Sequence, residues 1–331
     1  IGMMIYNEWG WCFTSKIDAA AFQENNEREL AEFITRDHNH PSVVMWSAGN
    51  EVSHKDKPEV RRLLDRQVDL IRRLDRHGRP VGSFSGSGSW FSYGTDPLNT
   101  DFIDLHDYAG FFRPSWTVFK KSMDGNIAGT LEHYGRTGRD LGMPYIIWEC
   151  VGYSWGGRSD PDFKLNDIDA YAKYANGPTS WGTPNGIGLA GTIGLAAALD
   201  PDRGLAYGRA KMGHRILEQI RQDPRFDGFA PWFLNDSLLA ATLWNQPIFP
   251  GIRDANGLPP VNFFAGDACE LELFAVNSTA RPVRAASFRV WLRTEDGTDI
   301  EIARFPQADI APWEIRVQPA KLKIPSVPSP Y

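Results

Sequence analysis

Hydrophobic positions follow two different rhythms along the chain. Up to about residue 236 they form short, nearly continuous apolar runs: Met3 to Glu8, Val43 to Asn50, Pro80 to Ser85, Phe102 to Asp107, Tyr145 to Glu149 and Gly228 to Leu234. Runs of this length, rich in β-branched and aromatic residues and bounded by Pro or Gly, read as strands buried on both faces. The segment VVMW, for instance, starts after Pro41 and stops before Gly49. Helical spacing fills the intervals. In NNERELAEFITRD an acidic first turn precedes Leu30, Phe33 and Ile34. KPEVRRLLDRQVDLIRRLDRHG has Pro58 near its start, Val60, Leu63, Leu64, Val68, Ile71 and Leu74 on one face, and Gly78 as a stop. Its many Arg and Asp residues read as a solvated helix face. Strands alternating with helices imply βα units and a parallel sheet.

From Cys150 to Asp227 the chain is glycine-rich, with Tyr207 to Arg221 as its clearest helix. A loop this long after the strand at Tyr145 is expected to cover the mouth of the sheet. Beyond Asp236 the rhythm changes. CELELFAVN, RAASFRVWLRT, DIEIARF and WEIRVQPAKL are short alternating strands separated by turn signals, as in a small Ig-like β-sandwich. The expected organisation is a partial α/β barrel unit over residues 1–245, a Pro- and Gly-rich linker over 246–265 and the sandwich over 266–325. The tail IPSVPSPY reads as extended or disordered. No internal repeat is visible. The first residues, IGMMIYNEW, already look like a core strand, which needs partners on both edges, so further sequence is expected upstream.

Composition narrows the function classes. The 331 residues are 42% hydrophobic and 12% aromatic, enough for a large core, and the net charge of −6 argues against a nucleic-acid partner. No apolar run approaches the ~18 residues needed to span a bilayer, so a soluble protein is expected. Cys12, Cys150 and Cys269 have no metal-ribbon or disulfide-framework spacing. GSFSGSGSW lacks the lysine of a phosphate loop and the strand-to-helix setting of a nucleophilic serine elbow. The sequons at Asn235 and Asn277 read as chance matches.

Two glutamates stand in matching positions. Glu51 follows VVMWSAGN and Glu149 follows MPYIIW, each just past a buried strand. Two carboxylates facing one another across the C-terminal end of a parallel barrel are what glycoside hydrolysis requires. Twelve tryptophans add indole faces able to pack on sugar rings, although for any one of them core packing is the commoner use.

The run RDHNHPSVVMWSAGNE, Arg36 to Glu51, strongly resembles the acid/base signature of glycoside hydrolase family 2 in clan A, which includes β-galactosidases, β-glucuronidases and β-mannosidases. Asn39, His40, Pro41, Ser42, Trp46, Ser47, Asn50 and Glu51 match; His38 departs from the usual residue. The resemblance implies Glu51 as general acid/base, Asn50 on the sugar 2-hydroxyl, and His40 bracing the turn. It implies Glu149 as nucleophile, although the following CVGYSWGG departs from β-galactosidases and β-glucuronidases and leaves the sugar open. LHDYAG resembles the sixth-strand His-x-Tyr, which makes His106 and Tyr108 site residues, with Tyr108 aiming Glu149. GFAPWFLND resembles the eighth strand, with Trp232 as subsite floor. NEWGW resembles the end of the third strand, giving Asn7, Glu8 and Trp11 as subsite candidates.

By this resemblance the fold is α/β, a (β/α)8 TIM barrel lacking its first two strands and followed by a β-sandwich. The expected activity is retaining cleavage of β-glycosides, exo-acting and β-galactosidase-like, on oligo- or polysaccharide substrates. An endo-acting polysaccharidase and a carbohydrate-binding scaffold without turnover are the alternatives. No cofactor, metal, nucleic acid or membrane is called for. The preceding domains of the same polypeptide are expected partners, an oligomer is compatible, and export to the periplasm or outside is the expected location. The two carboxyl groups are expected about 5 to 5.5 Å apart.

Overall fold

The computed structural model describes residues 4–11, 19–52, 57–88, 99–107, 116–134, 142–150, 204–230, 245–260, 263–294 and 297–326. The chain divides into two compact units, one made of Ile1–Tyr108, Lys121–Gly152 and Arg225–Trp232, the other of Ala109–Lys120, Tyr153–Pro224 and Phe233–Tyr331.

In the first unit all six apolar runs form strands, each shorter than its run: β1 (Ile5–Glu8), β2 (Val43–Ser47), β3 (Val81–Gly82), β4 (Ile103–His106), β5 (Tyr145–Trp148) and β6 (Gly228–Phe229). They make two parallel three-stranded sheets, ordered β1-β2-β3 and β4-β5-β6. Neighbours in space are neighbours in sequence, the progression of a singly wound barrel and not of a doubly wound sheet with its switch point. Between β3 and β4 the ladder is replaced by Asp101, whose backbone N–H donates to the Val81 carbonyl (2.9 Å) and whose carboxylate accepts from the Val81 N–H (2.8 Å). No closed barrel forms among the described residues; the described strands number six, where a barrel of this type has eight.

Helix α1 (Ala20–Asp37) starts five residues before the expected Asn25, because the alanine-rich stretch ahead of it extends the helix readily. Leu30 and Ile34 of α1 pack with Val43, Trp46, Val68, Ile71 and Val81 in one fully buried cluster. Helix α2 (Pro58–Leu74) begins at the proline whose missing N–H costs nothing there, carries Glu59 in its first turn and Arg72 and Arg73 in its last, and buries the apolar face read from the sequence. After it, the buried Asp75 carboxylate accepts from the Arg79 backbone and guanidinium, and Arg79 also donates to the His38 and His40 carbonyls. The turn that leads into β2 is thereby clamped to the turn that leads into β3. Helix α3 (Trp116–His133) was not located from the sequence; in the first unit it buries Met123 and Ile127 and donates from Thr130 to the Gly88 carbonyl.

In the second unit α4 (Gly204–Arg221) is the expected helix, begun three residues early. The C-terminal strands are β7 (Ile248–Arg253), β8 (Ala268–Asn277), β9 (Val283–Ala286), β10 (Arg289–Arg293), β11 (Asp299–Arg304), β12 (Ala308–Ile310) and β13 (Ile315–Lys323), all paired antiparallel in sheets β13-β8-β7, β10-β11 and β12-β9. Leu271, Leu273, Ala320 and Leu322 pack with Ile252, Val290, Ile302 and Ala303, so the first two sheets share a core.

One boundary moves. The stretch read as linker contains β7, which pairs with β8 over its whole length. Pro250 is tolerated because β7 is an edge strand, and Gly251 is required because a Cβ there would lie 2.1 Å from the buried Phe274 ring. Gly251→Ala is expected to destabilise this unit by about 1 to 3 kcal/mol through overpacking, read as a lowered Tm. An unchanged Tm would mean that the Phe274 ring can move aside.

Candidate active site

Both glutamates leave their strands through a backbone kink. Glu51 has φ of 42° and Glu149 of 54°; only Ala285 and Trp313 share this left-handed region among the described non-glycine residues. Such a conformation costs about 1 to 3 kcal/mol and persists only where neighbours enforce it. Past β2 they do: the Glu51 N–H donates to Ser85 (2.8 Å), the Ser85 N–H to Gly49 (2.8 Å), the Asn50 N–H to Trp11 (3.1 Å), and the Trp11 indole to Ala48 (2.7 Å). Gly49 lies so near the Trp11 ring that a Cβ would come within 2.8 Å of its Nε1. Past β5 the Cys150 N–H and thiol both reach the Ala230 carbonyl at 3.4 Å. The two kinks aim the two carboxylates at one place.

That place is the His106 ring. Its side chain is 0% exposed, and its Nδ1 donates to Glu51 Oε1 at 2.8 Å and lies 3.4 Å from Glu149 Oε2. The glutamate side chains themselves keep 17% and 13% exposure. Behind the ring, Nε2 is 2.9 Å from Ser85 Oγ and 3.6 Å from Asp104 Oδ1. Asp104 in turn accepts from Tyr6 Oη (3.2 Å) and from the Gly86 N–H. One imidazole thus stands between two partly exposed carboxylates in front and a buried one behind.

The electrostatics follow from that crowding. Burial acts most strongly on His106, and downward, but the Glu51 hydrogen bond and the charges of Asp104, Glu149 and Glu51 overcome it and push the ring up to about 9. His106 is therefore an imidazolium at neutral pH. Burial raises Asp104, against the lowering by His106, Gly86, Ser85 and Tyr6. Glu8, at the end of β1, is pushed up to about 7, first by burial and then by Glu149 and Asp104, while Ser85 and His106 work the other way. A carboxyl raised from 4.5 contributes its stability in full below pH 4.5 and loses it as the pH rises through 7. Glu8→Gln should therefore be more stable than the parent at pH 8, by about 3 kcal/mol at most, with no gain at pH 4. Urea unfolding at the two pH values reads this directly.

Glu51, His106 and Glu149 each bring one ligand-type atom within 4.8 Å of the others. Both His106 nitrogens are already engaged by hydrogen bonds, Nδ1 with Glu51 and Nε2 with Ser85, and a metal ligand needs a bare one. The chemistry of this trio is that of an ion cluster able to hold and pass protons.

Of the residues singled out in the sequence, the structure brings Glu51, Glu149, His106, Glu8 and Asn50 to this strand end. Asn50 bridges to Ser85, and its Oδ1 is buried with no hydrogen-bond partner. Asn7 is not brought there: alternation along β1 turns it toward α1, where its Nδ2 donates to Asp37 (2.9 Å). Trp11 packs in the core with Val52, Val60, Leu63, Leu64 and Phe84, and supports Gly49 and Asn50 from behind. Tyr108 and Trp232 lie outside the described residues, as does most of the glycine-rich stretch expected to cover the mouth. Asp104, Ser85 and Tyr6 were missed. The signal for Asp104 was present in IDLH, where strand alternation puts it on the same face as His106.

Part of the chain is similar to known proteins. Residues 6–101 match the model of the glycosyl hydrolases family 2 TIM barrel domain, a stretch that contains β1 to β3, Asn50 and Glu51. A putative β-glucuronidase of Formosa agariphila is 29% identical over 131 residues, 38% of this chain and 15% of that protein. A β-galactosidase of Bacteroides ovatus is 51% identical over 47 residues, 14% of this chain and 6% of that protein. Among solved structures, a family 2 β-galacturonidase from Eisenbergiella tayi is similar at a TM-score of 0.41 and 16% identity, over 69% of this chain and 33% of its own. The Faecalibacterium prausnitzii β-glucuronidase is similar at 0.37 and 16%, over 68% and 30%. The matched regions thus span about a third or less of each relative's length. With the Arg36 to Glu51 signature inside the matched stretch, residues 6–101 are similar to the TIM barrel domain of glycosyl hydrolases family 2.

Proposed function

We propose that this chain carries the catalytic centre of a retaining, exo-acting β-glycosidase, with Glu149 as nucleophile and Glu51 as general acid/base. The observation that carries the reading is the approach of one Glu51 oxygen and one Glu149 oxygen to within 4.8 Å at the C-terminal ends of two parallel strands. So close an approach of two oxygens favours the short carboxyl spacing of direct attack over the wider spacing that admits a water in inverting enzymes. The Glu149 carboxylate attacks the anomeric carbon as the glycosidic C–O bond breaks, and Glu51 delivers its proton to the departing oxygen. Glu51 then takes a proton from water, which attacks the same carbon from the vacated face, so configuration is kept after two inversions. The His106 cation, within reach of both oxygens, steadies Glu149 as an anion and orients Glu51. The Asn50 Oδ1, buried and unused, offers an acceptor to a sugar hydroxyl. In the C-terminal strands, the core shared by two sheets supports the β-sandwich reading.

Names of the matched relatives supply the first two members of the sugar panel, a galactoside and a glucuronide. Aryl β-galactoside, β-glucuronide, β-mannoside and β-glucoside should be offered to the protein. Release from one of them with the β-anomer as first product, seen by NMR before mutarotation, is expected. First appearance of the α-anomer would refute the assignment of Glu149 as nucleophile.

A further inference from the structure

Far along the sequence from these carboxylates, the outer face of β10 and β11 carries a large aromatic that the fold does not use. Side chains alternate along β10: Val290 packs into the core shared by the sheets, while Arg289, Trp291 and Arg293 face outward, and Trp291 remains 47% exposed. An indole this open forfeits nearly half of its burial energy, so packing alone does not account for it. The guanidinium of Arg289 covers its ring, 4.8 Å from the centroid. Beside the ring lies a shallow, largely open depression of about 360 Å³ lined by Trp291, Arg293 and Asp299. Its size is at the lower end for small-ligand sites, enough for one sugar ring or two.

The polar rim is built as well. Arg293 and Asp299, opposite one another in the β10–β11 register, form a two-point ion pair with both N···O distances at 2.7 Å. Glu301, opposite Trp291, accepts from both Arg289 and Arg304. Exposed pairs of this kind add little stability, but they fix planar donors and acceptors around the indole. Asp299 and Glu301 offset two of the three arginines of this face (Arg289, Arg293 and Arg304), so a single positive charge is left over and no extended positive field draws a polyanion.

We propose that this depression is a second saccharide-binding site, in which Trp291 stacks on the apolar face of one pyranose of a neutral glycan while Arg293 and Asp299 hydrogen-bond its hydroxyls. Hydroxyls both donate and accept, and the Arg–Asp edge offers both partners on a single line. That the ligand is a sugar rests on the glycosidase reading; the position and geometry of the site do not. The site would hold a polymeric substrate on the enzyme independently of turnover.

The test is affinity electrophoresis of the full chain and of Glu149→Gln through gels containing galactan, xyloglucan or glucomannan, with alginate as an acidic comparison. Retardation by at least one neutral polysaccharide is expected. Trp291→Ala should weaken it at least about tenfold, the equivalent of about 1.4 kcal/mol, and Trp291→Phe should restore part of it. Hydrolysis of a small aryl glycoside should be unchanged in Trp291→Ala, since that substrate has no second unit to hold. Absence of retardation in every neutral gel, retardation that Trp291→Ala leaves intact, or retardation by alginate alone would overturn the proposal. The aryl-glycoside assay keeps the two readings apart. Turnover without retention overturns only this site, and Trp291-dependent retention without turnover overturns only the glycosidase.

Discussion

Glu149→Gln is expected to lower kcat by roughly 10^4-fold or more while leaving sugar affinity within a few-fold of the parent. The substitution keeps shape and hydrogen-bonding capacity but removes the electron pair that attacks the anomeric carbon. Because the side chain is only 13% exposed and next to His106, the neutral amide leaves the imidazolium with Glu51 and Asp104 as partners, and the fold should survive. Glu8 feels the change too, since Glu149 is one of the charges that raise it, so Glu8 should ionise at lower pH in the variant. Kinetics on the responding aryl glycoside, with sugar binding followed by calorimetry, separates this from unfolding. Turnover within tenfold of the parent would remove Glu149 from the nucleophile's role.

His106→Asn is the second large effect, and it reaches stability as well as activity. Removing the cation leaves Asp104 buried and Glu51 and Glu149 facing each other uncompensated, which for a broken buried pair costs about 3 to 5 kcal/mol. Loss of a preorganised charge of this kind should also cost about 10^2- to 10^3-fold in kcat. The pH dependence gives the sharper signature. The folded-state pKa of His106 lies above its unfolded value near 6.5, so its contribution is fully present below pH 6.5 and is lost as the pH rises through 9. A rise from 6.5 to about 9 is worth about 3 kcal/mol. Urea unfolding of the parent at pH 6, 8 and 10 should show that decline, and His106→Asn should lack it. Glu8 loses its contribution in a lower window, between pH 4.5 and 7, so the two groups can be told apart.

The strand-and-helix frame of the first unit was readable because its signals agree. Pro41 and Gly49 bracket a β-branched and aromatic run, and the faces of α1 and α2 follow a helical period without interruption. Glu51 and Glu149 were readable because a charged residue at the end of an apolar strand is costly to bury without a task. Asn7 and Trp11 were misjudged for a geometric reason. Nearness to a strand end says nothing about which face a side chain takes, and one step along β1 sends Glu8 to the site and Asn7 to α1. Helix α3 stayed unlocated because Gly125 interrupts a stretch whose apolar residues are sparse, although Trp116, Phe119, Met123 and Ile127 recur every three or four positions. β7 was hidden by Pro250 and Gly251, turn formers by composition that here suit an edge strand lying against Phe274. Of the network behind His106, Asp104 alone left a signal, in the alternation of IDLH; only the fold brings Tyr6 and Ser85 to it.

Covalent trapping tests the double-displacement mechanism most directly. The full-length protein would be incubated with the 2-fluoro analogue of whichever aryl glycoside it cleaves, and the intact and digested protein weighed by mass spectrometry. A mass gain of one fluorosugar on the peptide containing Glu149, absent in Glu149→Gln, is the expected result. Rapid turnover of the parent substrate with no adduct, or an adduct on a peptide without Glu149, would contradict it.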